Sequence, residues 1–123
     1  MIEPGGVFQI PPRLARPPQE AHRFNPAPRE SRWVLIISTP DQCLKPEHET
    51  VLGILLSSQL AYSAEHDVLI YAGECVLEDS IAQADLLFTL SKIDLDRSRY
   101  RGTVQADTLL KVRAAVARLL GFV

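Results

Sequence analysis

The chain has 123 residues, of which 46% are apolar, and its formal net charge at neutral pH is −2. This length leaves room for one domain with a modest core, and no apolar run approaches the ~20 residues that span a bilayer. The N-terminus lacks the apolar segment of a secretory signal, and only Cys43 and Cys75 are present. Composition therefore excludes a membrane span and a disulfide scaffold, and it predicts a cytoplasmic protein.

The first 32 residues differ in character from the rest of the chain. They contain seven of the nine prolines and five arginines, without apolar periodicity. Paired prolines favour extended backbone and exclude both a helix and a central strand. We predict a flexible Pro/Arg-rich leader over residues 1–32 and a single α/β domain over residues 33–123.

Two interpretations of this leader remain open. It is either a tail without a role or a linear peptide that becomes ordered on a partner. In the second case the apolar anchors are Phe8, Ile10 and Leu14, with Arg13 and Arg16 as polar contacts.

The rest of the chain alternates apolar runs with helical patterns. In chain order we predict a strand over residues 33–38, a turn over 39–42, a helix over 46–62, a strand over 68–71, a short helix over 77–83, a strand over 85–90, a charged loop over 91–105 that ends in a short edge strand, and a helix over 107–120. This order implies a small three-layer α/β/α sandwich with a mainly parallel sheet of three to four strands.

Individual residues support these predictions. The run that begins at Trp33 is almost continuously apolar, which is typical of a parallel strand buried on both faces. Trp33 itself lies either in the core or at an interface, and the core is favoured. Pro46 stands where a helix would start, and Gly53 within that helix costs about 1 kcal/mol relative to alanine.

Motifs for catalysis or for phosphate binding are not found. No glycine-rich phosphate loop and no G-x-S-x-G turn occurs, and Ser57 and Ser58 fall in the middle of a predicted helix. A thiol–histidine pair of Cys43 or Cys75 with His48 is conceivable, but two ordinary reduced cysteines are favoured. The spacing of histidines and cysteines does not suggest zinc. We expect no cofactor, no metal and no catalytic residue.

Six carboxylates follow or precede the predicted strands and are expected near one edge of the sheet: Asp41, Glu47, Glu49, Glu74, Glu78 and Asp79. Such a cluster either binds Mg²⁺ or does acid–base work, or it is a solvated rim, which is favoured. Residues 33–123 carry a net charge of −4. Because nucleic-acid affinity comes mainly from Lys and Arg, we expect no direct nucleic-acid binding by this body.

In chain order the sequence resembles the psi subunit of the bacterial DNA polymerase III holoenzyme. The resemblance rests on the following segments: Trp33–Ser38, Leu44-x-Pro46, Val51-Leu52-x-x-Leu55, Val68-Leu69-x-Tyr71 through Ser91, and Val104-Gln105 followed by Thr108–Leu120. In the leader, Ile10, Leu14, Arg16 and Pro17 are similar to the N-terminal peptide of that family.

This resemblance implies a non-catalytic adaptor in DNA replication. Its leader would bind the tau/gamma subunits of the clamp loader, and its body would pair with the chi subunit and so reach single-stranded-DNA-binding protein. The partner-binding residues would be Phe8, Ile10, Leu14, Arg16 and Pro17. The alternative is a small cytoplasmic α/β enzyme or ligand-binding protein that acts at the C-terminal ends of its strands, with a polar pocket around Asp41 and Glu74.

Overall fold

The structure is a computed structural model that describes residues 2–15 and 32–122. Its strands are β1 (Gly6–Ile10), β2 (Arg32–Ile36), β3 (Thr50–Ser57), β4 (Val68–Ile70), β5 (Ser80–Ser91) and β6 (Arg99–Thr103). Its α-helices are α1 (Pro40–Leu44), α2 (Lys92–Asp96) and α3 (Ala106–Leu119), and single turns of 3₁₀-helix cover Pro12–Leu14 and Leu60–Tyr62.

All six strands join one sheet in the order β4-β5-β3-β2-β1-β6, and every pair of neighbours is antiparallel. The sheet is curled into a half-barrel. The predicted three-layer sandwich with a mainly parallel sheet is therefore wrong. Parallel strands need long crossover connections, and two of the crossover helices that the sequence pattern predicts are strands in the structure.

The largest error concerns residues 46–62, which were predicted to be a helix. Residues 50–57 form β3, a central strand with buried side chains on both faces. Val51 and Leu55 belong to one core cluster, whereas Ile54 and Leu56 belong to the other. A short apolar run of this kind cannot be assigned to helix or strand by periodicity alone.

The region after β4 was also misassigned in part. The short helix predicted over residues 77–83 is wrong, because the twelve-residue strand β5 begins at Ser80. The charged loop predicted over residues 91–105 contains α2 and β6, so its edge strand is confirmed but longer than expected. The strands predicted at residues 33–38 and 68–71 and the final helix are confirmed as β2, β4 and α3.

Both faces of the sheet are covered, which explains why apolar residues do not simply alternate with polar ones. One cluster includes Val34, Ile36 and Leu95 of α2. The opposite cluster includes Leu35 of β2 and Val112 of α3. Helix α3 is therefore the layer that closes the second face of the sheet.

Part of the predicted leader lies within the fold. Residues 6–10 form β1, which pairs with β2 on one side and β6 on the other. Phe8 and Ile10 are only 3% and 1% exposed, and Leu14 packs against the same core cluster. Arg16 and Pro17 lie outside the described residues. The structure thus places three of the five predicted partner-binding residues in or against the core, and a role for the leader in binding a partner stays a prediction.

Helix α3 is joined to the end of β2 by one side chain. Arg113 Nε donates to the carbonyl of Ile37 at 3.1 Å, and its Nη2 donates to the carbonyl of Ser38 at 2.9 Å. In the part of the chain that the structure describes, no helix is both long and apolar enough to cross a membrane.

Candidate functional site

An open groove of about 250 Å³ lies at the end of the sheet where β2 and β5 begin and where β3 ends. It is lined by residues from three strands and from the segment before β5: Arg32, Trp33, Leu56, Ser57, Ser58, Val76, Leu77, Glu78 and Ser80. We call it the sheet-end groove. It combines one cation, one carboxylate and three hydroxyl groups with apolar walls.

The antiparallel register brings these residues together. Trp33 pairs with Leu56 across β2 and β3, so the next position along this register places Arg32 opposite Ser57. On its other side Ser57 pairs with Ile81 of β5. Residues that are distant in the sequence are therefore neighbours in one row at the end of the sheet.

The hydroxyl groups of the groove differ in their hydrogen bonds. Ser57 Oγ accepts the backbone N–H of Gln59 at 3.0 Å. Since a serine hydroxyl has one donor in addition to its acceptor sites, Ser57 can still donate its own hydrogen to a ligand. Ser80 Oγ instead donates to the carbonyl of Glu78 at 2.9 Å, which makes it a support for the wall of the groove.

Residues 71–79, which connect β4 to β5 and form that wall, are held at both ends. Asp79 Oδ1 accepts the N–H of Ala72 at 2.9 Å and thereby closes the loop on itself. Glu74 Oε1 accepts the N–H of Gln105 at 2.6 Å, which attaches the loop to the start of α3. The side of the groove that carries Glu78 is therefore built on an anchored segment.

Positive charge is concentrated beside the groove despite the negative charge of the body as a whole. Arg32 lines the groove, and the guanidinium carbon of Arg101 lies 5.0 Å from the centroid of the Trp33 ring. A cation seated on an indole face is attracted by the π-electrons of the ring. Arg32 and Trp33 thus line the groove, and a second arginine lies against the Trp33 ring.

The thiol–histidine pair, which was the less favoured alternative, is not supported by the surroundings of the two cysteines. Burial raises the pKa of the Cys43 thiol, and its Sγ lies 3.8 Å from the carbonyl of Ser38. Burial, followed by the Glu74 carboxylate, raises the pKa of Cys75 to about 11. Reactive cysteines have lowered pKa values, and the shift at both thiols is in the opposite direction.

The six carboxylates that were expected at one edge of the sheet are divided between its two ends. Asp41, Glu47 and Glu49 lie between β2 and β3, whereas Glu74, Glu78 and Asp79 lie before β5. Asp41 contacts Lys45 at 3.4 Å within α1. In an antiparallel sheet the segments that follow successive strands lie at opposite ends, so a pocket shared by Asp41 and Glu74 does not form.

A further group of polar side chains lies beside β4 and was not anticipated. His66 Nε2 is 3.4 Å from Asp85 Oδ1 and 3.8 Å from Asp67 Oδ1. Asp67 Oδ2 also accepts the N–H of Ala64 at 2.8 Å. The imidazole thus lies between two carboxylates, and none of the three residues lines the sheet-end groove.

The polar groove residues that sequence reasoning missed are Arg32, Ser57, Ser58 and Ser80. Arg32 was assigned to the leader, and the two adjacent serines were assigned to the middle of a helix. One signal in the sequence favours a strand, because Gly53 is unfavourable in a helix interior. If residues 50–57 are taken as a strand, Ser57 becomes its last residue and Ser58 follows it directly.

Comparison with known proteins identifies a family to which these features belong. The sequence model of the PemK-like, MazF-like toxins of type II toxin–antitoxin systems matches residues 15–120. A search of curated protein sequences gives no match.

Solved structures with similar folds cover nearly the whole chain. MazF from Deinococcus radiodurans has a TM-score of 0.71 and 20% identity, and the match covers 98% of each chain. A MazE–MazF complex from the same organism has a TM-score of 0.70 and 17% identity, covering 100% of this chain and 99% of the other. A mycobacterial endoribonuclease in complex with its cognate antitoxin has a TM-score of 0.67 and 19% identity, covering 98% and 94%.

These findings overturn the functional predictions drawn from the resemblance to the psi subunit. The fold and the family match are those of toxins, so the assignment to a non-catalytic adaptor in DNA replication is wrong. The predicted clamp-loader, chi-subunit and single-stranded-DNA-binding-protein connections are wrong with it. The resemblance rested mainly on apolar positions in an assumed α/β order, and that order is not the one the chain adopts.

Proposed function

The chain belongs to the PemK-like, MazF-like toxin family of type II toxin–antitoxin systems, and on this premise we propose that it is an endoribonuclease that cleaves RNA in the sheet-end groove. The observation that supports this most strongly is that Arg32 and Ser57, which lie opposite each other in the register of β2 and β3, both line an open groove. An arginine and hydroxyl donors are the groups that bind a phosphodiester.

The chemistry of RNA explains how a groove without a nucleophile motif can be catalytic. In RNA the nucleophile is supplied by the substrate, because each 2′-hydroxyl lies beside the phosphorus atom that follows it. Attack forms the O2′–P bond and breaks the P–O5′ bond. The 2′-hydroxyl proton passes to a base, and the departing 5′-oxygen receives a proton from water. The products are a 2′,3′-cyclic phosphate and a 5′-hydroxyl.

Three polar side chains of the groove, Arg32, Ser57 and Glu78, have roles in this reaction. The Arg32 guanidinium donates to the non-bridging phosphate oxygens and stabilises the charge that develops on them in the transition state. The Ser57 hydroxyl donates to the same phosphate, since its oxygen already accepts the Gln59 N–H. Glu78 is the carboxylate among the groove residues, and we assign to it the removal of the 2′-hydroxyl proton.

The form of the groove favours a single strand over a duplex. The scissile phosphate must reach residues at the end of a sheet, between the Arg32 strand and the Glu78 segment. In-line attack by the 2′-hydroxyl needs a local backbone geometry that an A-form duplex does not readily adopt. The substrate class that we propose is therefore single-stranded RNA.

Regulation by a second protein chain is part of the same proposal. Two of the similar structures are complexes, one of MazF with MazE and one of an endoribonuclease with its cognate antitoxin. We propose that this chain is likewise held inactive by an antitoxin, and that it acts in the cytoplasm, where messenger RNA is available to it.

The proposal is tested by cleavage of a labelled single-stranded RNA by purified protein. Arg32→Gln should lower the cleavage rate by about 10²–10³-fold, the loss found when one donor to the transition-state charge is removed. Arg118→Gln is the matched control, because Arg118 is an exposed arginine of α3 beside β4 and does not line the groove. Its rate should stay within twofold of the unsubstituted protein.

Two outcomes would contradict this assignment. Equal activity of Arg32→Gln and Arg118→Gln would place the active site elsewhere, and the absence of any cleavage by the unsubstituted, folded protein would refute the endoribonuclease proposal itself.

A further inference from the structure

We propose that Arg101, held on the ring of Trp33, binds a second phosphate of the RNA strand, so that these two residues form a site for the nucleotide next to the cleaved bond. This inference rests on the proposed function and extends it from the scissile phosphate to the path of the strand. It assigns to Arg101 a role in binding rather than in the chemical step.

The geometry places Arg101 within reach of the groove. Its guanidinium carbon is 5.0 Å from the centroid of the Trp33 ring, and Trp33 lines the groove directly after Arg32. A cation–π contact does not require all five N–H groups of a guanidinium, so donors remain for phosphate oxygens. The ring therefore positions the cation and leaves it hydrogen-bond donors for a ligand.

The local backbone explains why the side chain of Arg101 reaches Trp33. In the pairing of β1 with β6, Val7 is opposite Gly102 and Phe8 is opposite Tyr100, so Arg101 is the extra residue of a β-bulge. Bulges redirect a side chain and occur frequently beside active sites. The strand β1 lies between β6 and β2, and the redirected Arg101 crosses it to contact Trp33.

The same bulge also contacts the wall of the groove. Gly102 has a φ of +130°, and a Cβ atom at this position would lie 3.2 Å from Cys75 Cβ. The segment that carries Cys75 continues into Val76, Leu77 and Glu78, which line the groove. The site of Arg101 and the segment of the proposed base are therefore parts of one packed unit.

In the described part of the chain, the positive charge of Arg101 lies on an aromatic ring rather than against an acid. Among the described residues it forms no salt bridge with a carboxylate, and its contact is the Trp33 ring. A positive group with this geometry beside a phosphate-binding groove is suited to a phosphate one nucleotide away. The negative charge of the body as a whole makes such a local contact more important for affinity.

The test measures binding of a short single-stranded RNA with 2′-O-methyl riboses, which the protein cannot cleave. Binding is followed by fluorescence anisotropy over a range of salt concentrations. Since each phosphate contact with a single strand contributes about 0.7 to the slope of log K against log salt, Arg101→Gln should reduce the slope by about 0.7. Arg101→Lys keeps the charge and should retain most of the slope.

The control is Arg118→Gln, which removes the same charge at the β4 edge of the sheet, opposite the β6 edge. It should leave the slope unchanged. Trp33 is the one tryptophan of the chain, so its emission gives a second readout. RNA should change this emission in the unsubstituted protein, and the change should be smaller in Arg101→Gln.

The outcomes separate this inference from the proposed function. If the unsubstituted protein cleaves RNA while Arg101→Gln and Arg118→Gln have the same salt slope, the second phosphate site is refuted and the endoribonuclease remains. If the folded protein neither cleaves nor binds RNA, both are refuted. Circular dichroism of each variant verifies that the fold is retained.

Discussion

The thiol of Cys75 is the titratable group whose environment differs most clearly from water. It is half-buried beside the backbone of Gly102, and a Cβ at Gly102 would stand only 3.2 Å from the Cys75 Cβ. Burial and the Glu74 carboxylate raise the pKa of this thiol to about 11, against 9.0 for an unperturbed cysteine. The neutral thiol is therefore the form that the folded protein stabilises.

This shift predicts a loss of stability at alkaline pH. Below pH 9.0 the thiol is neutral in both states, and between 9.0 and about 11 the unfolded chain loses the proton more readily than the folded protein. The free energy of unfolding should therefore fall across this interval. Urea unfolding at several pH values measures it.

The matched variant for this prediction is Cys75→Ser, which does not titrate in the interval. Its stability should decline less steeply, with a remainder from Cys43, whose pKa is also raised by burial. An identical pH dependence in the two proteins would show that Cys75 is not buried in the way the structure describes.

At the scale of the element, the packing of β3 against its neighbouring strands requires a glycine at position 53. A Cβ atom at Gly53 would lie 2.6 Å from Val34 Cγ2 and 2.7 Å from Leu90 Cδ1. Gly53 is thus the position where β2 and β5 side chains close over the central strand, and its presence is explained by close packing within the sheet.

We therefore expect Gly53→Ala to destabilise the protein by about 1–3 kcal/mol, the usual cost of overpacking a core. In a Val34→Ala background the same substitution should cost less, because one of the two opposing methyl groups has been removed. Denaturant unfolding of the four proteins in this cycle gives both values. Equal costs in the two backgrounds would contradict the contact.

The same strand shows how far the sequence allows the fold to be predicted. The sequence predicts β2 from an apolar run and β4 from a short run with two β-branched residues. It predicts α3 from apolar residues that recur at helical spacing. Strand β3 is not predicted, because Val51, Ile54 and Leu55 are buried on two faces and imitate a helix. The register of β5 against β3 is irregular: Ile54 of β3 is opposite Leu87, whereas Leu56 is opposite Ala82. This irregularity breaks the alternation of inward and outward side chains that identifies a strand.

The candidate site was unpredictable for a related reason. Arg32, Ser57 and Ser80 lie far apart in the sequence and become neighbours only through the antiparallel register. Searches for catalytic motifs detect local spacings such as a nucleophile on a tight turn. They cannot detect a groove whose substrate brings its own nucleophile.

At the scale of the whole molecule, net charge does not describe how charge is distributed. The body carries more acidic than basic residues, and from this sum alone we expect no direct nucleic-acid binding. The structure instead gathers Arg32 and Arg101 around one groove, while Asp41 and the carboxylates near it lie at the other end of the sheet. The distribution of charge at the groove, rather than its sum, is what a phosphate would encounter.

The central claim is that the sheet-end groove cleaves RNA through the 2′-hydroxyl of the substrate. Its most direct test compares one oligoribonucleotide with a copy that carries a single 2′-deoxyribose immediately before the cleaved bond, with products identified by mass spectrometry. The account predicts that the ribonucleotide is cut to a 2′,3′-cyclic phosphate and a 5′-hydroxyl, and that the deoxy copy stays intact at that bond. Cutting of both substrates at the same bond and rate would contradict it.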